Sequence, residues 1–370
     1  MKIIHIINSL NKGGAEQALK NLILNDNLNY HYIFTFIRFG DLEKELASST
    51  RQIKNINILS FFLNPIYFWK LIREFKKIDP DIIQSWMYHS NFFTIFLKPF
   101  FNINIIWNIR HGNIFKSNSK LRTKIIVLIC AVFSHIIPKK IIYCSIFSKL
   151  NHEKIFYNKN KSFLIFNGID NNVFYKSYKI RNHFRKNLNI SENVFLIGMI
   201  ANWRKQKNHE LLFKSLSNLT KNFKLVLVGK EINKKNKYLI NKLKYYNLIN
   251  KTIILDYVEN INEVYNFIDL SVLTSLDESF PNVLAESMMC STLCLSTNVG
   301  DVKKIINKYG WISSSMDDKI ITELLNNIIL LYKDKKKWKS KKKLAQVYIT
   351  KNFNINLMVK NYTKFWKSYS

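Results

Sequence analysis

The stretch LDESFPNVLAESM, Leu276–Met288, sets Glu278 just before a Phe-Pro-Asn turn and Glu286 eight positions later in a helical pattern. An apolar run of strand length, LSVLTS (270–275), comes directly before it. The order is strand, loop, helix, and Pro281 fits the first helical turn, where its missing N–H costs nothing. The N–H groups around Asn282 and Val283 then face a ligand at the carboxyl end of the strand, where open α/β sheets bind. Asn282 and Glu286 share one helix face, roughly 6 Å apart along the axis. Glu286 can therefore reach past bound phosphates toward ribose hydroxyls, while Glu278 looks at a sugar beyond them. A capped helix with ordinary surface acids is the plain alternative. Acids are scarce here, however, with 25 Asp+Glu in 370 residues.

The same alternation runs outward in both directions. In the first half, strands are expected at 2–8, 30–37, 56–59, 81–86, 103–109, 140–145 and 162–167. In the second half they are expected at 195–201, 224–229, 252–257, 270–275 and 293–297. Each half has its own series, so each can form a doubly wound sheet. A chain of 370 residues suits two domains better than one core. The seam is expected in the polar stretch DNNVFYKSYKIRNHFRKNLNISEN that follows Gly168. The boundaries expected are 1–170, 171–350 and a final helical segment, 351–370, with Trp338, Phe353, Met358, Tyr362 and Trp366 on the apolar side of the C-terminal helical pattern.

Lys and Arg number 57, giving a net charge of +32. Such a charge fits a solvated surface, an anionic membrane, nucleic acid or phosphate-bearing ligands. No recognised nucleic-acid module is present. Cys130, Cys144, Cys290 and Cys294 lack zinc spacing and read as small buried hydrophobes in a reduced, cytosolic compartment. MKIIHIINSLNKGG (1–14) reads as a first strand and not as a signal peptide. IIVLICAVFSHIIP (125–138) is too short to cross a bilayer and reads as a buried helix, with monotopic membrane contact as the alternative. The segments 61–77 and 91–102 mix aromatic rings with lysines, and suit core helices with a solvated side or membrane-surface docking.

Two further loops suit anions. Gly13 and Gly14 end the first strand and open a helix, which lets backbone N–H groups approach a phosphate. A third glycine at dinucleotide-fingerprint spacing is missing. In IANWRKQKNHELLFKSL (200–216), Arg204 and Lys207 precede a helix and suit a diphosphate. A plain turn and a solvated basic loop are the respective alternatives.

Together these residues resemble the retaining GT-B glycosyltransferases of family 4. SLDESFPNVLAESMMCSTLCLSTNVGDVKKII (275–306) is similar to their donor-site signature: two glutamates around a Phe-Pro-Asn turn, then a small-residue strand and a glycine turn. GGAE (13–16) resembles their N-terminal glycine loop, and IFNGID (165–170) the element at the domain seam. WMYHSN (86–91) and WNIRHG (107–112) resemble a subgroup that builds bacterial capsule, O-antigen and related glycans.

The resemblance implies two Rossmann-like domains facing across a cleft, with the C-terminal helix crossing back to the first. It implies transfer of a sugar from a nucleoside-diphosphate donor, UDP by family habit, with retention at the anomeric carbon. Arg204 and Lys207 would hold the diphosphate. Glu286 would bind the ribose, and Phe280, Pro281, Asn282 and Val283 would line the donor site with Gly13 and Gly14. Glu278 and His111 would contact the sugar near the reacting carbon, with His89 and Arg110 on the acceptor side. Many relatives place the arginine five residues before the lysine; here that position is Asn202. No metal or other cofactor is expected. The expected partners are a nucleotide sugar and a glycan or lipid-linked acceptor, at an anionic membrane surface on the cytoplasmic side. A nucleotide-sugar epimerase on the same fold, or a basic nucleic-acid-binding protein, are the competing readings.

Overall fold

The computed structural model describes residues 1–38, 40–114, 120–256 and 258–370, and these divide into two compact units. The first comprises Met1–Gly168 with Ile355–Ser370, and the second Ile169–Asn354.

The first unit is built on strands β1 (Lys2–Ile7), β2 (Tyr30–Thr35), β3 (Gln52–Asn55), β4 (Ile82–Trp86), β5 (Asn104–Ile109), β6 (Lys140–Tyr143) and β7 (Ser162–Leu164). They are parallel, in the order β3-β2-β1-β4-β5-β6-β7. β1 shows why an almost unbroken apolar run is needed: Ile4 and Ile6 pack into one core and Ile3 and Ile7 into the other, so both faces are buried. On one face lie helices Pro65–Ile78, Met87–Leu97 and Leu121–Phe133. On the other lie Gly14–Leu24 and the last helix, Ile355–Lys367. The last helix buries Ile355, Met358, Val359, Tyr362 and Trp366 at three- and four-residue spacing. The Tyr362 hydroxyl accepts from Asn108 Nδ2 at 2.6 Å, and Trp366 Nε1 donates to Gln84 Oε1 at 2.8 Å.

The second unit carries β8 (Phe195–Ile200), β9 (Phe223–Val228), β10 (Thr252–Leu255), β11 (Leu270–Leu273), β12 (Leu293–Thr297) and β13 (Trp311–Ser313). The order is β10-β9-β8-β11-β12-β13, again parallel. The order reverses between β8 and β11, which places their C-terminal loops side by side at a switch point.

Several expectations are corrected. The strand expected at 56–59 is displaced to β3, because Asn57 caps the helix Ile58–Leu63 by accepting from the Ser60 N–H. β13, three residues long, was not foreseen. The chain passes from the first unit to the second at Gly168, just before the polar stretch expected to hold the seam, and that stretch is structured. It contains helix Tyr178–Asn187, whose Arg181 and buried Arg185 reach the buried Asp269 carboxylate at 2.7 and 3.3 Å. Pro281 precedes the helix Asn282–Met289 as its cap residue and does not sit in its first turn. The helix expected to be buried at 125–138 is Leu121–Phe133. It buries Val127, Cys130 and Ala131 but exposes Leu121, Ile125, Leu128 and Val132. Tyr257, at the end of the strand expected at 252–257, lies outside the described residues. All four cysteines are free and buried. Among the described residues, no helix is long and apolar enough to cross a membrane.

Candidate functional site

The loops leaving β8 and β11 are stitched together by backbone and side-chain bonds. The Leu276 N–H donates to the Gln206 carbonyl at 2.8 Å, and Gln206 Nε2 returns to the Asp277 carbonyl at 2.7 Å. The Thr274 hydroxyl donates to the Asn208 carbonyl at 2.9 Å. This fixes the short 3-10 turn Lys205–Lys207 against the approach to the Phe-Pro-Asn turn. As a result Lys207 Nζ lies 2.6 Å from Glu278 Oε1, and the Ser275 hydroxyl donates to the same oxygen at 2.7 Å. The pair is mostly shielded, with side-chain exposures of 23% and 12%. A salt bridge so placed is stronger than a surface pair but leaves either partner costly to strand alone.

Gly300 closes over this loop at φ +54°. A Cβ there would lie 2.5 Å from the Glu278 carbonyl oxygen and 2.6 Å from that of Ser279. The next residue, Asp301, donates its N–H to the Ser279 carbonyl at 3.0 Å. Phe280 is buried with its ring 5.5 Å from that of Phe353, and Pro281 is also buried, so both anchor the turn. The helix Asn282–Met289 then begins, among the described residues without a side-chain cap, and its positive dipole end favours an anion. One turn in, Glu286 Oε2 accepts from the Tyr265 hydroxyl at 2.8 Å. Burial pushes the Glu286 carboxyl up to about 7, with the Tyr265 hydrogen bond opposing it.

Arg204 precedes the same 3-10 turn, is exposed, and lines a cavity of about 490 Å³ with Trp203, His209, Tyr238 and Lys242. Asn202, at the position where many similar sequences carry arginine, accepts from the Lys230 N–H at 2.9 Å and so braces two loops.

In the first unit the expected residues separate. The Glu16 side chain folds back beside Gly13, where a Cβ would collide with its carboxylate oxygen. Burial raises the Glu16 carboxyl, and a bond from its own N–H lowers it. The helix start that was expected to meet a phosphate thus faces the chain's own carboxylate. Gly14 has open space around its Cα. His111 follows β5. Its carbonyl accepts from the Ser148 hydroxyl at 2.6 Å, burial lowers the pKa of its imidazole below the ordinary value, and its buried Nδ1 has no partner among the described residues. His152 Nδ1 donates to the Ser148 carbonyl at 2.7 Å, so its Nε2 accepts from the Tyr88 hydroxyl at 2.8 Å. Arg110 is tied to Asn167, to the Tyr362 hydroxyl at 3.2 Å, and over the Trp86 ring at 5.4 Å. That is a brace for the last helix. His89 is exposed on helix Met87–Leu97.

Ser275, Tyr265 and Gln206 were not legible as site residues. They are common residue types 3 to 71 positions from what they touch, and only the fold brings them in. Among the described residues, no three His, Cys, Asp or Glu side chains gather as metal ligands.

Residues 180–345 match the family model for glycosyl transferases group 1. The Staphylococcus aureus capsular polysaccharide biosynthesis glycosyltransferase CapH is 24% identical over 386 residues, covering 100% of this chain and 99% of that one. The Escherichia coli O-antigen biosynthesis glycosyltransferase WclY is 28% identical over 146 residues, 39% of each chain. Among solved structures, Anabaena HepE in complex with UDP superposes with a TM-score of 0.86 at 18% identity, covering 100% of both chains. The segment 180–345 is a group 1 glycosyl transferase domain, and the chain is a glycosyltransferase of GT-B fold.

Proposed function

We propose that the chain moves a sugar from a nucleoside-diphosphate donor, a UDP-linked hexose or N-acetylhexosamine, to a glycan or lipid-linked acceptor in surface polysaccharide synthesis. In this reading it acts with retention at the anomeric carbon, on the cytoplasmic side of the membrane. The observation that carries the reading is the Lys207–Glu278 pair at the β8/β11 switch point, beside the start of helix Asn282–Met289. Capsule and O-antigen names among the relatives, and UDP in the HepE crystal, support the substrate class.

The chemistry follows from the pair. A diphosphate arriving at the helix start draws Lys207 away from Glu278, because two phosphate charges outweigh one carboxylate. Lys207 and Arg204, with the helix dipole, then carry the negative charge that grows on the leaving diphosphate, so no metal is called on. Glu278, still held by Ser275, is released to accept from sugar hydroxyls. Glu286, oriented by Tyr265, accepts from the ribose. His111 offers a hydrogen bond to a sugar hydroxyl.

The test is a thermal-shift panel with UDP, GDP, ADP and their sugars, on the wild type and Glu286→Ala. A ligand that binds only the folded state stabilises by RT ln(1 + [L]/Kd). One nucleotide should stabilise the wild type, and the variant should lose the shift. No shift with any nucleotide would remove the donor-site assignment.

A further inference from the structure

Three neighbouring strands end beside His111. Trp86 of β4 pairs with Asn108 of β5, and Ile109 of β5 pairs with Tyr143 of β6. The segments that follow therefore leave the sheet side by side: helix Met87–Leu97 after β4, Arg110 and His111 after β5, and helix Ile146–Glu153 after β6. At His111 the imidazole Nδ1 is buried and has no partner among the described residues. With no bond at that nitrogen to steer it, the ring takes its direction from its own backbone and from the Tyr88 ring, 6.4 Å away at 56°.

That backbone is gripped from both neighbours. On one side, Met87 Sδ accepts from the Arg110 N–H at 3.3 Å. Met87 holds φ +69°, a left-handed conformation uncommon for a residue with a side chain, and such strain persists only where the surroundings over-determine it. On the other side, the Ser148 hydroxyl donates to the His111 carbonyl at 2.6 Å. Every polar group of Ser148 is engaged. Its N–H donates to the hydroxyl of the cap residue Ser145 at 2.9 Å, and its carbonyl accepts from His152 Nδ1 at 2.7 Å. Burial pushes His152 down to about 4, so at neutral pH the ring carries a single N–H. With that N–H on Ser148, the His152 Nε2 accepts from the Tyr88 hydroxyl at 2.8 Å. Tyr88 is the neighbour of Met87 in the chain, so the contacts close into a ring: Met87, Tyr88, His152, Ser148, His111, Arg110. Plain packing asks for none of this. An apolar side chain at position 152 would fill the space without desolvating an imidazole.

We propose that Met87, Tyr88, Ser148 and His152 are positioning residues for His111, resting on the reading of His111 as a hydrogen-bond partner of a sugar hydroxyl. Ser148 and Met87 hold the Arg110–His111 backbone from its two sides. Tyr88 and His152 join those grips, so that neither slides without the other.

The test reads His111 directly and then the reaction. In the full chain carrying isotope-labelled histidine, the His111 imidazole NMR signal is the one lost in His111→Gln. Ser148→Ala, which only deletes a hydroxyl, should shift or broaden that signal, and Tyr88→Phe and Met87→Leu should do so to a smaller extent. With UDP-glucose and UDP-N-acetylglucosamine as donors, Ser148→Ala should lower kcat for UDP release on the order of 100-fold, the cost of a misplacement of about 1 Å. KM should change by less than about twofold, because binding of the nucleotide is untouched. Ser148→Cys, whose thiol is a weaker donor of similar size, should recover part of the loss. The UDP-induced thermal shift should stay as in the wild type. An unmoved His111 signal in Ser148→Ala overturns the proposal. So does a moved signal with unchanged kcat in an enzyme that His111→Gln disables. If His111→Gln itself leaves kcat unchanged, the sugar contact of His111 fails, and the imidazole signal, which needs no substrate, still supports or overturns the positioning of the ring.

Discussion

Gly300→Ala isolates the part of the site that geometry alone controls. The residue holds φ +54°, where an L-alanine loses on the order of 1 kcal/mol. The larger effect is steric. A Cβ would sit 2.5 Å from the Glu278 carbonyl and 2.6 Å from the Ser279 carbonyl, against about 3.4 Å for ordinary contact. The backbone carrying Glu278 must therefore retreat by nearly 1 Å, and Glu278 cannot hold both Lys207 and Ser275 after that shift. Displacement of this size at a reacting site costs about 100-fold, or roughly 2.7 kcal/mol of barrier. We expect UDP release in a coupled assay to fall by about that factor in kcat/KM. The melting temperature should fall by a few degrees, consistent with about 1–2 kcal/mol. Gly300→Asn separates the two causes, since asparagine tolerates positive φ but still carries a Cβ. It should recover part of the stability and none of the activity. A Gly300→Ala enzyme with wild-type kcat/KM would refute the claim that this glycine sets the Glu278 loop.

Other expectations follow from the same geometry. Lys207→Met should abolish the UDP-induced thermal shift and destabilise the fold by stranding Glu278; adding Glu278→Gln should restore stability without restoring the shift, as a double-mutant cycle would show. Because burial raises the folded Glu286 carboxyl to about 7, the folded state holds its proton longer than the unfolded chain does, and stability should fall as pH rises from about 4.5 through 7. Glu286→Gln should flatten that component in denaturant melts across this range, and an identical slope in both proteins would count against it. His152 is pushed down to about 4 by burial, so acid should cost stability below pH 6.5, with His152→Gln removing part of the loss. Tyr362→Phe leaves Asn108 and Arg110 without their shared acceptor, and should cost about 1–3 kcal/mol by urea denaturation.

The sequence was most legible where one residue type had to repeat. Long runs such as KIIHII and FLIGMI announce parallel strands because both faces must be apolar, and their positions agree with β1 and β8 to within a residue or so. The two glutamates of the opening stretch were legible through their spacing about a proline. Partnership was not legible. Lys207 and Glu278 are 71 residues apart, and their pairing depends on β8 and β11 being neighbours. Tyr265, Ser275 and Glu16 contribute through direction, which one-dimensional pattern does not carry. The helix at 121–133 was misread because hydropathy measures how apolar a segment is and says nothing about which side finds a partner. The helix Tyr178–Asn187 just past the seam was not foreseen for the converse reason: a polar stretch can be buried once Arg181 and Arg185 meet Asp269.

The last helix, Ile355–Lys367, belongs to a core whose other residues precede the second unit in the chain. Strand β1 is complete after 7 residues, yet the face that receives Tyr362 and Trp366 stays open until the whole second unit has been synthesised. Folding of the first unit therefore has to wait for the second unit to be synthesised. At ordinary elongation rates of roughly 5–20 residues per second, that leaves an apolar face waiting for about ten seconds or more. A stop codon just before Ile355 would spare the whole second unit with its donor-site residues and still leave the first unit's apolar face open to holdase chaperones and proteases.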